Sequence, residues 1–320
     1  MTAIRFISAD EIRPHLNIDR LINSAANAFQ ALSGGKAQAP VYVLHPNTYA
    51  DLHVKSAVLA GCPIFTVKMA GWSQLLADRG EAPASGLIAV FDADTCRPVA
   101  ILQDDHLVSD YRTAAAGALA AKMLAREGAS TVTVVGTGTQ ARLQAQAAAL
   151  VRPVESIRIW GRTPRKSAAL ATALSTDLPG VEVKAQNDLE KAVRSADIII
   201  TATNAKGPII EGGWLRPGQH ITSVGSDDAF KCELAPSVLA AADLVVVDAF
   251  EPAEKYGNIH RAVNAGLLKI QSDVTEIGAI LNGVARGRCR DSDLTVASFV
   301  GLGIQDLTAV QALLAALDQK

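Results

Sequence analysis

The stretch Thr131-Val132-Thr133-Val134-Val135-Gly136-Thr137-Gly138-Thr139-Gln140-Ala141 narrows the architectures open to this chain more than any other part of it. A β-branched run, then Gly-x-Gly-x-x-Ala, then helix formers over 140–150 reads as strand, tight turn and helix. Gly136 permits the turn, Gly138 lets a diphosphate approach the backbone, and Ala141 allows the helix to pack closely on the strand. Unpaired N–H groups and the positive end of the helix dipole then face an anion. The string alone is a weak signal, and its place between a strand and a helix is what gives it weight.

Strands and helices go on alternating beyond it, with strands over 156–160, 198–201, 220–224 and 244–247 and helices over 140–150 and 165–175. That order predicts an α/β domain with a Rossmann-type doubly wound parallel sheet. After the second strand comes Gly161-Arg162-Thr163-Pro164-Arg165-Lys166. An acidic residue about twenty positions past the turn would take the ribose hydroxyls of NAD, and none is present. Arg162, Thr163 and Arg165 offer positive charge and a hydroxyl, which suit the 2′-phosphate of NADP. NADP is therefore the expected cofactor, with NAD as the alternative, and a solvated basic loop is the bland reading of the same residues. Thr201-Ala202-Thr203 ends a later strand at the edge where such a sheet receives a dinucleotide. The expected cofactor contacts are Gly136, Thr137, Gly138, Thr139, Gln140, Ala141, Arg162, Thr163, Arg165, Thr201, Ala202 and Thr203.

At 320 residues the chain exceeds the ~250–300 at which one core stops growing, so a second domain is expected. Residues 10–32 read as one amphipathic helix, and 41–102 as short β-type runs too closely spaced for parallel crossovers, hence antiparallel. A helix over 111–126 follows, capped by Ser109 or Asp110, and a last helix over 303–317 is expected to rejoin the first domain. The expected partition is 1–115 with 295–320 as a mixed α+β domain, and 116–294 as the dinucleotide domain.

A formal net charge of -2 gives no field to attract phosphate backbones, so nucleic acid is not an expected partner. No apolar run approaches the ~20 residues a bilayer requires, and Asp10 and Glu11 come before any apolar stretch long enough for a signal peptide, so secretion is not expected. No membrane association and a cytoplasmic location are expected. The four cysteines, Cys62, Cys96, Cys232 and Cys289, are scattered without metal spacing, so neither metal nor disulfide is expected.

Further motifs bear on chemistry: Val67-Lys68, Asp104-Asp105-His106-Leu107-Val108-Ser109-Asp110-Tyr111-Arg112-Thr113-Ala114-Ala115-Ala116-Gly117, Val224-Gly225-Ser226-Asp227, and Lys231-Cys232-Glu233-Leu234. In this order, and with the glycine turn between them, they resemble the ornithine cyclodeaminase/mu-crystallin family over most of the chain. The resemblance implies a substrate-binding and dimerisation domain built from both ends of the chain around a central Rossmann domain, usually in a homodimer.

Reducing a small imino acid requires a clamp on its carboxylate, a hydride at the imine carbon and a proton for nitrogen. Arg112 offers a planar fork for a carboxylate, and Lys68 adds a cation. Both match family residues that hold substrate, and Asp227 matches the family's acid/base aspartate. Lys68 and Asp227 are thus the expected catalytic residues, with Asp228 competing for the second role. Plainer readings are a domain-interface ion pair for Arg112, a solvated strand end for Lys68 and a turn cap for either aspartate.

Two departures from the family bear on substrate. Val43 or Leu44 stands where many members place a carboxylate-binding arginine, and His53-Val54-Lys55-Ser56 stands where ornithine cyclodeaminases place a glutamate that grips a side-chain amine. That loss argues against a diamine. Lys55 can supply the missing positive charge, and His53 reads equally as a substrate contact or an ordinary strand residue. The expected activity is that of an NAD(P)H-dependent oxidoreductase acting on the C=N or CH–NH bond of a small imino or amino acid. The alternatives are an ornithine cyclodeaminase-like ammonia-lyase that uses bound NAD(P) catalytically, and a non-enzymatic NADPH-binding crystallin-like protein.

Overall fold

The computed structural model describes residues 4–318, which divide into two compact units: the residues up to Arg112 with those from Leu302 onward, and Thr113–Gly301. The joins fall at 112/113 and 301/302, against the 115/116 and 294/295 expected from the sequence. At the second join the strand Thr295–Ser298 is an interior member of the second unit's sheet, which keeps it and the turn after it in that unit.

The first unit holds strands β1 (Arg5–Ser8), β2 (Ala37–Gln38), β3 (Val41–Asn47), β4 (Ala50–Leu59), β5 (Ile64–Ser73), β6 (Ala84–Asp92) and β7 (Pro98–Gln103). Their order is β1-β7-β6-β5-β4-β2, with β3 also paired to β4. All pairs are antiparallel except β1 with β7, so the sheet is mixed. One face is buried, carrying Ala57, Ala70, Ile88, Val90, Ala100 and Leu102, and the helices Ile18–Ser33 and Gly303–Leu317 pack in the same unit. The single helix expected over 10–32 is interrupted. Ala9–Ile12 forms one short helix and Arg13–His15 a 3-10 turn, and a new helix starts at Ile18 with Asn17 accepting from the Arg20 N–H. Pro14 carries no N–H to continue the first, and Asn17 caps the second.

The second unit holds β8 (Thr131–Val135), β9 (Ser156–Trp160), β10 (Glu182–Ala185), β11 (Ile198–Thr201), β12 (Lys206–Ile210), β13 (His220–Ser223), β14 (Cys232–Leu234), β15 (Leu244–Val247), β16 (Val274–Glu276) and β17 (Thr295–Ser298). Eight of them form one parallel sheet in the order β10-β9-β8-β11-β13-β17-β15-β16, while β12 and β14 pair separately. The order runs outward in both directions from β8 and β11, which is the doubly wound arrangement. Central strands such as Ile198–Thr201 are buried along their whole length, the pattern of a sheet covered on both faces.

Among the described residues all four cysteines are free, no three His, Cys, Asp or Glu side chains gather as a metal site, and no helix is long and apolar enough to cross a membrane.

Candidate active site

The buried face of the first sheet carries groups that a core ordinarily excludes. Asp51, His53 and Lys55 on β4 and Lys68 on β5 all point inward and are buried. Lys55 and Lys68 are direct cross-strand partners, and His53 lies opposite Ala70. Like charges side by side out of water are costly unless a counter-charge meets them. Asp306, in the first turn of the helix Gly303–Leu317 and fully buried, supplies one. Its Oδ2 is 2.8 Å from Lys68 Nζ, and its Oδ1 accepts from Arg112 Nε at 2.9 Å. Lys68 Nζ also donates to Ser109 Oγ at 2.8 Å. Gly303 brings the helix start this close to β4, since a Cβ there would stand 2.5 Å from the Ser56 carbonyl oxygen.

Ser109 and Arg112 come from the helix Leu107–Leu124, which starts four residues earlier than expected. Neither Ser109 nor Asp110 caps it. Asp104 does, its Oδ2 accepting from the Val108 N–H at 2.9 Å after Asp105 (φ 46°) and His106 (φ 71°) turn through the left-handed region. Each such non-glycine residue costs on the order of 1–3 kcal/mol, a strain the surrounding structure must hold. Ser109 and Arg112 then lie three residues apart on one helix face, which lets one take Lys68 and the other Asp306.

Burial drives the Lys68 ammonium down to about 8; Asp306 opposes that shift and Arg112 adds to it. Burial pushes the Asp306 carboxyl up, yet Arg112 and Lys68 outweigh it and hold the group below the usual carboxylate range. Burial raises the Asp104 carboxyl, with the Val108 N–H opposing. Two cations therefore share one ionised carboxylate, a centre with a residual positive charge suited to a further carboxylate. His53 Nε2 is 3.4 Å from Asp51 Oδ1.

In the second unit the glycine turn joins β8 to the helix Thr139–Val151, with Gly138 as N-cap. Gly136 has φ 134°, and a Cβ on it would run into the Ala202 carbonyl oxygen, so glycine is required there for folding. Gly138 differs: it is exposed, and a Cβ would meet nothing within 4 Å. That open space lies at the N-terminus of the helix Thr139–Val151, where the positive end of the helix dipole suits an anion such as a diphosphate. Ala141 is fully buried under the helix, while Thr139 is exposed and Thr137 and Gln140 are half-buried. The exit of β9 adjoins the turn, since a Cβ on Gly161 would come within 2.6 Å of Thr137 Cγ2. Arg162, Thr163 and Arg165 stand exposed just beyond it. Thr201 is fully buried with its hydroxyl on Glu233, so its side chain is not open to a ligand in the way expected, whereas Ala202 and Thr203 are half-buried.

The two aspartates after β13 are distinguishable. Asp228 is buried, and its Oδ1 accepts from the Phe230 and Lys231 N–H groups at 2.7 and 2.6 Å, so it caps the turn. Asp227 keeps its side chain 31% exposed with Oδ1 2.8 Å from Lys231 Nζ, which leaves it as the aspartate able to meet a ligand.

Sequence reasoning missed Asp306 and gave Glu233 no role. A signal for the first was present: Asp306 is the sole charge between Gly303 and Leu317, in a segment otherwise apolar enough to be core.

The profile of the ornithine cyclodeaminase/mu-crystallin family matches residues 4–319. A Δ1-pyrroline-2-carboxylate reductase of Bacillus cereus is 31% identical over 310 residues, covering 96% of this chain and 94% of its own. The Thermococcus litoralis Δ1-pyrroline-2-carboxylate reductase, solved in complex with NADH and L-proline, superposes with a TM-score of 0.93 at 27% identity, over 99% of this chain and 98% of that one. An archaeal alanine dehydrogenase dimer with bound NAD gives a TM-score of 0.90 at 27% identity, over 99% and 97%. With the whole described chain matched, this protein belongs to the ornithine cyclodeaminase/mu-crystallin family.

Proposed function

We propose that the chain is a nicotinamide-dependent oxidoreductase that reduces the C=N bond of a small imino acid, or oxidises the corresponding amino acid. The observation that carries the reading is the buried trio of Lys68, Asp306 and Arg112, a carboxylate-receiving centre in a chain that also has a dinucleotide turn. Relatives described as pyrroline-2-carboxylate reductases and alanine dehydrogenase agree with it.

Arg112 and Lys68 hold the substrate carboxylate, and Asp306 keeps both cations oriented while neutralising only one. Lys55 adds positive charge on the same face, which disfavours an amine-bearing side chain; His53 beside it is a further substrate contact. Asp227 faces the nitrogen and gives or takes its proton. The turn 136–141, with Ala202 and Thr203, holds the dinucleotide, which supplies or accepts a hydride. Arg162, Thr163 and Arg165 favour the extra phosphate of NADPH, although the similar structures were solved with NADH or NAD.

The test is oxidation of NADPH or NADH, followed by absorbance, with Δ1-pyrroline-2-carboxylate and with 2-oxo acids plus ammonia. Net oxidation is expected. Ammonia release from an amino acid with no net change in nicotinamide would instead establish a cyclodeaminase. Gly138→Val sharpens the test, because its side chain enters open space. The variant should fold with a melting temperature lowered by no more than a few degrees, since valine caps a helix less well than glycine. It should nevertheless lose at least about tenfold in nucleotide affinity, as expected when roughly 1.4 kcal/mol or more of contact is removed. Wild-type affinity in that variant would remove the turn from cofactor binding.

Charge on Lys68 sets a pH dependence. Below its value of about 8 the buried ammonium is charged, and above it the charge is lost. The kcat/KM for a carboxylate substrate should fall above about pH 8 through a rising KM. Stability moves the other way: between about 8 and the ordinary 10.5 the unfolded chain keeps a proton the native chain has shed, so this group stabilises the fold as pH rises through that window. A KM flat across the same window would exclude the ammonium from substrate binding.

The first unit's sheet also bears on assembly. Its outer face is apolar where an antiparallel sheet facing water would be polar: Phe6, Tyr42, Leu44, Met69 and Val99 are exposed on it, around a stacked Phe65–Phe91 pair with ring centroids 5.0 Å apart. A second copy of the chain covers this face in a homodimer. Wild-type protein should sediment at twice 33.4 kDa and Met69→Glu at the single-chain mass; a dimeric variant would place the interface elsewhere.

A further inference from the structure

Glu233, on β14, is completely buried, yet its carboxylate accepts four hydrogen bonds that converge from two separate turns. Oε1 accepts from the Thr203 N–H at 2.6 Å, in the segment after β11. Oε2 accepts from Thr201 Oγ1 at 2.8 Å, Ser223 Oγ at 2.8 Å and the Gly225 N–H at 2.9 Å. Ser223 ends β13, and Gly225 opens the turn that carries Asp227.

Proton directions in this cluster are fixed from outside it. Asn258 Oδ1 accepts from the Glu233 and Leu234 N–H groups at 2.9 and 3.0 Å, which orients its amide. Asn258 Nδ2 must then donate to Ser223 Oγ at 2.8 Å and Ser298 Oγ at 3.1 Å. Accepting from Asn258, the Ser223 hydroxyl keeps its own proton for Glu233 Oε2 at 2.8 Å. The two backbone N–H groups cannot reverse and fall one on each oxygen, so both oxygens must accept, which a carboxylate does. Burial pushes this carboxyl up, and the hydrogen bonds from Ser223, Thr201 and Thr203 oppose that shift. Gly225 makes the join tight, since a Cβ on it would strike Thr203 backbone and would lie 2.5 Å from Glu233 Oε1.

We propose that Glu233 is a positioning residue that sets the Asp227 turn in register with the 202–203 edge, so that proton donor and nicotinamide are held at a fixed separation. The inference rests on the function proposed above for Asp227 and the 202–203 segment. Glu233 itself touches neither substrate nor cofactor.

The test is Glu233→Gln, which preserves shape. Its one carbonyl oxygen can serve the Thr203 N–H or the Gly225 N–H, and the amide NH2 then confronts the other, donor against donor. Backbone hydrogen exchange at Thr203 or Gly225 should quicken at least tenfold, with protection in the interior of β11 and β13 unchanged. The kcat per nucleotide-binding site should fall at least tenfold, while the KM for the imino acid stays within about twofold. Glu233→Gln with wild-type exchange at both amides and a wild-type kcat per site would overturn the proposal. So would activity that falls only with the folded fraction, which is the signature of a purely structural residue. Should the protein reduce no imine at all, the exchange measurement still decides whether Glu233 joins the two turns, so that failure of the inference and failure of the functional reading remain distinct.

Discussion

Asp306→Asn is expected to lower the stability of the first unit by roughly 3–5 kcal/mol, the range for removing one member of a buried ion pair. The substitution keeps the shape of the side chain, so no cavity forms and the cost is electrostatic. Lys68 and Arg112 would remain buried with no anion between them, each within contact distance of the amide that replaced it. Against a total stability of about 5–15 kcal/mol, such a loss is large enough to read as a fall in the urea midpoint. Lys68→Met combined with Asp306→Asn should recover part of it, because only Arg112 then stays uncompensated. A midpoint unchanged in the single variant would mean that water or another group already neutralises the two cations.

Asp306 also shows where reading the sequence stops. The glycine turn was legible because its chemistry is local: the strand before it, the φ of Gly136 and the start of the helix all lie within eleven residues. Strands over 198–201 and 244–247 fall where expected because buried parallel strands are continuous apolar runs, and 156–160 because Ile157 and Ile159 alternate into the core, unlike Glu182–Ala185, whose alternating charges hid a strand at the sheet edge. The trio of Lys68, Asp306 and Arg112 is built from residues up to 238 positions apart, from β5, a central helix and the last helix. No periodicity connects them. Arg112 and Lys68 drew attention as matches to a family pattern, whereas their shared carboxylate became visible only when the fold closed. The helix start at Leu107 escaped for a related reason: Asp105 and His106 adopt left-handed backbone that residue type alone does not announce. The apolar outer face of the first sheet was hidden in the same strands, since both faces carry apolar residues and alternation gives no contrast.

Asp227→Asn is expected to reduce kcat by about 10²–10⁴-fold, the usual contribution of a positioned acid or base, with nucleotide affinity changed no more than a few-fold. Asparagine keeps the size of the side chain and can still accept from Lys231 Nζ, which stands 2.8 Å from the carboxylate, so the turn should persist. What it loses is the capacity to hold or release a proton at the oxygen facing the substrate nitrogen. Asp228→Asn provides the contrast, because its Oδ1 serves two backbone N–H groups rather than a ligand. That variant can keep one amide oxygen on both donors and should retain most of its kcat. If the two variants lost activity equally, the proton would have to come from elsewhere, and Lys68, already lowered to about 8 by burial, is the group whose ammonium could give one up near neutral pH. A deep loss in Asp227→Asn alone assigns the proton to Asp227 and leaves Lys68 to hold the carboxylate, which the alkaline rise in KM tests independently.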